Sequence, residues 1–168
     1  MCGFIGMIRN KPSRPTKEQI TQFENQNNII THRGPDDEGY YYDEYVSFGF
    51  RRLSIIDLES GKQPLSYDDE KIWLIFNGEI YNYIELRDEL LAEGYTFATD
   101  SDTEVIAALF AKHKQNAFQY LRGMFSILVW DKENETLYGA RDPFGIKPMF
   151  FYDTEEGTYF ASEKKALR

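Results

Sequence analysis

Met124-Phe-Ser-Ile-Leu-Val-Trp130, Lys132-Glu-Asn-Glu135 and Thr136-Leu-Tyr-Gly-Ala140 together form the stretch from which the fold follows. A largely apolar run, four polar residues suited to a turn and a second short run read as two antiparallel strands joined by a hairpin. The same grammar recurs on both sides. Met149 to Tyr152 and Thr158 to Ser162 flank the turn Asp153-Thr-Glu-Glu-Gly157, while Gly39 to Ile56 is aromatic and β-branched with turn chemistry at Asp43-Glu44. Ile72 to Phe76, behind the turn Ser66-Tyr-Asp-Asp69, gives a further strand. Cys2-Gly-Phe-Ile-Gly-Met-Ile8 is apolar but too short for a helix and reads as a buried first strand.

Helices interrupt these hairpins at two places. Thr16 with Gln19 three residues on makes a capping box before Ile20, Phe23 and Ile30. Asn82 with Glu85 opens a second helix, with Leu86, Leu90 and Leu91 on one stripe and Gly94 at its close. Ser101 with Glu104 opens a third, with Val105, Ile106, Leu109 and Phe110 along its inner face, and a weaker helical stretch continues to Leu121. Strand, helix, several strands, two helices and several strands make an α+β protein of antiparallel sheets with helices packed outside, not an alternating βαβ one. The sequence shows no internal repeat and no low-complexity linker.

The 168 residues suit one domain, since single cores commonly hold roughly 100–200 residues. The net charge of -9 and the lack of a Lys/Arg stripe argue against nucleic acid as a partner. No apolar run approaches the roughly 18–20 residues that cross a bilayer, and Met7-Ile8 runs straight into Arg9-Asn10-Lys11 without a signal-peptide layout, so no membrane partner and a cytoplasmic location are expected. One cysteine excludes an internal disulfide, and with only His32 and His113 as imidazoles no zinc site is expected. Nor is there a GxGxxG or GxxxxGK[ST] string to hold a nucleotide, so no cofactor is expected in this domain. The terminal Glu163-Lys-Lys-Ala-Leu-Arg168 stops without a cap or turn, as if cut.

Four places could carry chemistry. Removal of Met1 would leave Cys2 with a free α-amine of pKa about 7.7–8, a base on the same residue as the thiol; a small buried residue near a strand start is the plainer reading. Asn77-Gly78 follows an apolar strand as hairpin turns do, yet no second strand comes after it. Tyr81-Asn-Tyr83 leads instead into a helix, so the pair is expected at a strand-to-helix corner, where an amide and a backbone N–H could hold an oxyanion. Losing one such donor commonly costs roughly 3–4 kcal/mol of barrier. Alternation puts Phe48, Phe50 and Arg52 on one strand face and Arg51 on the other, and a guanidinium among rings needs a carboxylate from the protein or a ligand. Asp102 sits in a first helical turn, where the helix dipole alone suffices to explain it. His32 and His113 have no second base nearby in sequence and read as structural.

Met1-Cys-Gly-Phe-Ile-Gly6, His32-Arg-Gly-Pro-Asp36, Arg52-Leu-Ser-Ile-Ile-Asp57, Phe76-Asn-Gly-Glu-Ile-Tyr-Asn82, Ser101-Asp-Thr-Glu104, Leu121-Arg-Gly-Met-Phe125, Arg141-Asp-Pro-Phe-Gly-Ile-Lys-Pro148 and Phe160-Ala-Ser-Glu163, in that order, resemble the class II glutamine amidotransferase domain. Within that class they look most like the N-terminal half of glutamine-hydrolysing asparagine synthetases. The resemblance covers nearly the whole chain and implies the four-layered αββα sandwich of N-terminal nucleophile hydrolases. It also implies Cys2 as the thiol nucleophile, Asn77 and Gly78 as the oxyanion hole, and Arg52 for the substrate α-carboxylate. Glu79 and Asp102 would take the α-ammonium, and backbone groups around Ile55 and Ile56 would complete a glutamine pocket. The implied reaction turns glutamine and water into glutamate and ammonia through a γ-glutamyl thioester. A C-terminal synthetase domain, absent from these residues, would use the ammonia with ATP and magnesium to amidate aspartate. Two alternatives stay open: a domain serving another acceptor, of the amidophosphoribosyltransferase or glucosamine-6-phosphate synthase type, and a silent glutamine-binding or regulatory module. A homodimer is compatible with the sequence, which fixes no oligomeric state.

Overall fold

A computed structural model describes residues 2–53 and 61–167. Along the chain run β1 (Gly3–Arg9), α1 (Lys17–Ile29), β2 (Asp37–Tyr42), β3 (Val46–Arg52), β4 (Leu65–Tyr67), β5 (Ile72–Ile80), α2 (Tyr83–Ala92) and α3 (Asp102–His113). Then come β6 (Gly123–Asp131), β7 (Thr136–Arg141), β8 (Phe150–Asp153) and β9 (Gly157–Ala161). The chain divides into two compact units, residues 1–56 with 148–168 and residues 57–147, each built on its own antiparallel sheet. The architecture is α+β, as the hairpin reading requires.

The first unit holds the five-stranded sheet β2-β3-β1-β9-β8. The strand nearest the chain start is its middle strand, paired with β3 from Gly3↔Arg51 to Ile8↔Val46 and with β9 from Ile5↔Ala161 to Arg9↔Gly157. Side chains alternate across it. Ile5 and Met7 pack with Phe23, Ile30, Ala161 and Ala166 on the side that carries α1. Phe4, Phe48 and Phe50 are fully buried on the opposite face. The α1 helix starts at the box read from its sequence, with the Gln19 N–H donating to Thr16 Oγ1 at 3.2 Å and the Thr16 N–H to Gln19 Oε1 at 2.9 Å.

The second unit holds the four-stranded sheet β4-β5-β6-β7. Its spine is the pairing of β5 with β6 from Ile72↔Asp131 through Ile80↔Gly123. Leu74, Phe76, Ile127 and Val129 form one face, under Val105, Ile106, Leu109 and Phe110 of α3 and Leu86 and Leu90 of α2. Each large apolar side chain fully buried there contributes about 1.5–3 kcal/mol. Ile75, Asn77, Ser126, Leu128 and Trp130 fall on the other face and are buried too.

Local readings differ from the structure in four places. The strand read as Ile72 to Phe76 continues to Ile80, because β6 offers partners along that whole length. The turn read over Ser66–Asp69 begins only after Tyr67, since Leu65–Tyr67 pair with β5. Asn82 does not cap α2: its Nδ2 donates to the Tyr120 carbonyl at 2.9 Å and its Oδ1 accepts the Arg122 N–H at 2.9 Å, partners far along the chain that outcompete the local box. Ser101 does cap α3, accepting the Glu104 N–H at 3.3 Å, but the Glu104 carboxylate turns to the Ala98 and Thr99 N–H groups instead of closing the box. Beyond α3 the chain tightens to a 3₁₀ stretch over Lys114–Tyr120. The hairpin read over residues 39–56 is formed by β2 and β3, with residues 54–56 outside the described ones.

Candidate functional site

Each unit gathers a share of the residues singled out from the sequence. In the first, the antiparallel β1–β3 register decides the matter: Gly3 pairs with Arg51, so one step further places Cys2 across from Arg52. Both continue the face of Phe4 and Phe50, away from α1. Cys2 is half-buried and its Sγ lies against the Leu53 backbone, accepting the Leu53 N–H at 3.5 Å. Arg52 is buried at 6% exposure beside these rings, as alternation requires. Arg51 points the other way and is held by the Gly34 carbonyl at 3.0 Å and Glu38 at 2.9 Å.

The second unit assembles Asn77, Gly78, Glu79 and Asp102. Asn77 and Gly78 lie inside β5, opposite Ser126 and Phe125, and not at a strand-to-helix corner. That corrects the expected placement; the chain leaves the sheet only at Tyr81, whose N–H donates to the Arg122 carbonyl at 2.6 Å. The Asn77 side chain is 2% exposed, and its Nδ2 has no hydrogen-bond partner among the described residues. A buried amide donor left unmade normally costs about 1–3 kcal/mol, so its retention needs a reason. Gly78 has φ +146, and a Cβ there would stand 2.0 Å from the Met124 carbonyl oxygen. Only glycine fits.

Asp102 is the first residue of α3, and its Oδ2 accepts the Ile80 N–H at 3.2 Å, tying the helix start to the end of β5. Burial pushes its carboxyl above the ordinary carboxylate range, and the neighbouring Glu79 charge adds to that rise against the backbone N–H groups that oppose it. Glu79 itself is exposed. Two carboxylates so coupled make a place where a cation is favoured. Ile55 and Ile56 lie outside the described residues.

Two groups near Cys2 escaped the sequence reading. Arg33 Nε donates to the Cys2 carbonyl at 3.0 Å, and Arg33 Nη1 pairs with Glu163 Oε2 at 3.2 Å. His32, read as merely structural, also meets Glu163 Oε2, at 2.8 Å. His113 stacks on Tyr120, with centroids 4.4 Å apart. Asp142 is a further buried carboxylate. Burial alone would raise its pKa, but N–H groups of Ile146, Lys147, Phe125 and Phe144 outweigh that and hold it below the ordinary range. It is used to shape the loop after β7.

Among the described residues no group of three or more His, Cys, Asp or Glu could hold a metal ion, and no helix is long and apolar enough to cross a membrane.

Comparison with known proteins places this geometry. The chain is 58% identical over 167 residues to asparagine synthetase [glutamine-hydrolyzing] 1 of Bacillus subtilis, covering 99% of this chain and 26% of that protein. It is 42% identical over 167 residues to the same organism's asparagine synthetase [glutamine-hydrolyzing] 2, covering 99% of this chain and 22% of that one. The chain thus spans about a quarter of the length of these relatives. Among solved structures, the glutamine phosphoribosylpyrophosphate amidotransferase of Bacillus subtilis shares the fold, with a TM-score of 0.75 at 22% identity over 99% of this chain and 43% of that chain. The model of the glutamine amidotransferase domain matches residues 1–168, and the chain belongs to that family.

Proposed function

We propose that this chain is the glutaminase part of a glutamine-hydrolysing asparagine synthetase. The observation that carries the reading is the family match along residues 1–168, in which the chain's only cysteine falls beside a buried arginine at the head of a middle strand. With Met1 removed, the α-amine of Cys2 takes the thiol proton, and Sγ attacks the side-chain amide carbon of glutamine. The Sγ–C bond forms, the C–N bond breaks, and the amine delivers the proton to the departing ammonia. Water then cleaves the thioester, releasing glutamate and restoring the thiol.

Roles for the other residues follow the family resemblance. Asn77 Nδ2 and the Gly78 N–H hold the oxyanion, which gives a reason for a buried amide with no partner among the described residues. The family resemblance gives Arg52 to the substrate α-carboxylate and Glu79 and Asp102 to the α-ammonium; the further candidates Ile55 and Ile56 lie outside the described residues. The relatives, about four times as long, support a further synthetase region; in this reading that region uses the ammonia to amidate aspartate and is where ATP and magnesium would act. The same relatives favour this acceptor over those of the other class II enzymes. A cytoplasmic site of action agrees with the single thiol and with the absence of a spanning helix among the described residues.

The test combines intact mass, to verify loss of Met1, with glutamate release by the wild type and Cys2→Ala. Processed wild type should hydrolyse glutamine and Cys2→Ala should not. Processed, folded protein that releases no glutamate above the Cys2→Ala background, even within the full-length chain, would sink the reading.

A further inference from the structure

The segment following β9 returns to the nucleophile strand. Ser162 exchanges two bonds with Phe4, its N–H to the Phe4 carbonyl at 3.0 Å and its Oγ accepting the Phe4 N–H at 3.0 Å. Glu163 therefore comes level with Gly3, one residue from Cys2. Its Oε2 meets Arg33 Nη1 at 3.2 Å and His32 Nε2 at 2.8 Å, and Lys165 Nζ lies 3.7 Å from Oε1. Three basic side chains thus converge on one carboxylate that is itself three-quarters buried. Arg33 is 7% exposed and lies against β1: a Cβ at Gly3 would stand 2.9 Å from its Cδ. Its Nε then reaches the Cys2 carbonyl at 3.0 Å.

The two bonds of Arg33 use different nitrogens of one planar fork, so the carboxylate fixes the plane in which the Nε–H points at Cys2. A lysine here could hold one partner but not both in fixed directions. Burial would raise the Glu163 pKa, but Arg33 and His32 outweigh it and keep the group ionised through the neutral range. The charge that holds the fork is therefore present whenever the thiol could act.

We propose that Glu163 is a positioning residue for Cys2, acting through Arg33, which it holds in the plane that anchors the Cys2 carbonyl. The inference rests on the proposed glutaminase reading. Anchoring the carbonyl fixes the Cα from which both the thiol and the α-amine of Cys2 project. Losing it leaves the substrate contacts intact and misdirects the attacking atom.

The experiment measures glutamine hydrolysis by the full-length protein carrying Glu163→Ala, Glu163→Gln, Arg33→Met, or Arg33→Met with Glu163→Ala. Glu163→Ala should lower kcat between about 10-fold and 100-fold, the scale on which a displacement of about 1 Å acts, with the KM for glutamine within about twofold of wild type. Glu163→Gln keeps an oxygen for Arg33 and should recover most of that loss. In the Arg33→Met background, Glu163→Ala should cost little more, because its route to Cys2 is already gone.

A folded Glu163→Ala protein with kcat within about twofold of wild type overturns the inference. So does a loss confined to KM, or one that adds in full to that of Arg33→Met. If Glu163→Ala does not fold, Glu163→Gln and Glu163→Asp decide on the same split between kcat and KM. Wild type no more active than Cys2→Ala refutes the glutaminase reading and this inference together, whereas active wild type with an indifferent Glu163 refutes only the latter.

Discussion

Asn77→Ala separates a catalytic role from a structural one, because the two predict opposite balances of activity and stability. The Nδ2 donor is buried and has no partner among the described residues, a desolvation cost of about 1–3 kcal/mol that they do not offset. Truncation relieves that cost and opens a small cavity in its place, and the two nearly cancel. At about 2–4 °C per kcal/mol for a domain of this size, Tm should move by only a few degrees. Catalysis should suffer far more: one oxyanion donor is worth about 2.7–4 kcal/mol, or 10²–10³ in kcat. Steady-state glutamate release and thermal unfolding by circular dichroism provide the two numbers. A Tm lowered by more than about 10 °C together with less than a tenfold loss of kcat would refute the reasoning, since Asn77 would then be a core contact and nothing more.

Three further outcomes follow. Arg52→Ala should raise the KM for glutamine by about tenfold or more, as expected for losing a charge-assisted bond of about 1.5–3 kcal/mol, and an unchanged KM would remove it from the site. The raised pKa of Asp102 places the loss of its charge above the ordinary carboxylate value of about 4, so kcat/KM should decline on the acidic side from a higher pH than that, as the ammonium loses its partner. The same shift means that ionised Asp102 costs folding free energy above that pH, so Asp102→Asn should be no less stable than wild type at pH 7 while binding glutamine more weakly; a clear drop in Tm at pH 7 would contradict the sign. Gly78→Ala should disrupt β5, because its Cβ would stand 2.0 Å from a backbone oxygen that cannot yield, and soluble protein of wild-type Tm would show the β5–β6 geometry to be misjudged.

What could be read in the sequence was set by how local its cause is. The shared face of Phe48, Phe50 and Arg52 follows from alternation along one strand, and the Thr16 box from a four-residue pattern, so both were legible, whereas the register that sets Cys2 across from Arg52 was not. Asn77-Gly78 stood out as a candidate pair, but its place was misread. An Asn-Gly pair usually ends a strand, and only the nine-residue partner β6 and the glycine's φ of +146 keep this strand going. Asn82 failed as a cap for the same reason, since its partners lie at residues 120 and 122. Arg33 and Glu163 are 130 residues apart and nothing in their own neighbourhoods pairs them. Each lies in a string that carried the family resemblance, His32-Arg-Gly-Pro-Asp36 and Phe160-Ala-Ser-Glu163, which was the one signal available.

That pairing bears on a difficulty inherent in the proposed chemistry. A nucleophile that supplies its own α-amine as base has to stand at the start of a chain, where domains are commonly least ordered. Attack needs the opposite, reacting atoms held about 3–3.5 Å apart in a fixed direction. The fold reconciles the two by making the first strand the middle one. Ladder bonds from β3 and β9 hold it on both edges, Ser162 grips Phe4, and Arg33 holds the carbonyl of Cys2 itself. These holds act on the Cys2 carbonyl or on residues after it, on the far side of the Cys2 Cα from the α-amine that must carry protons.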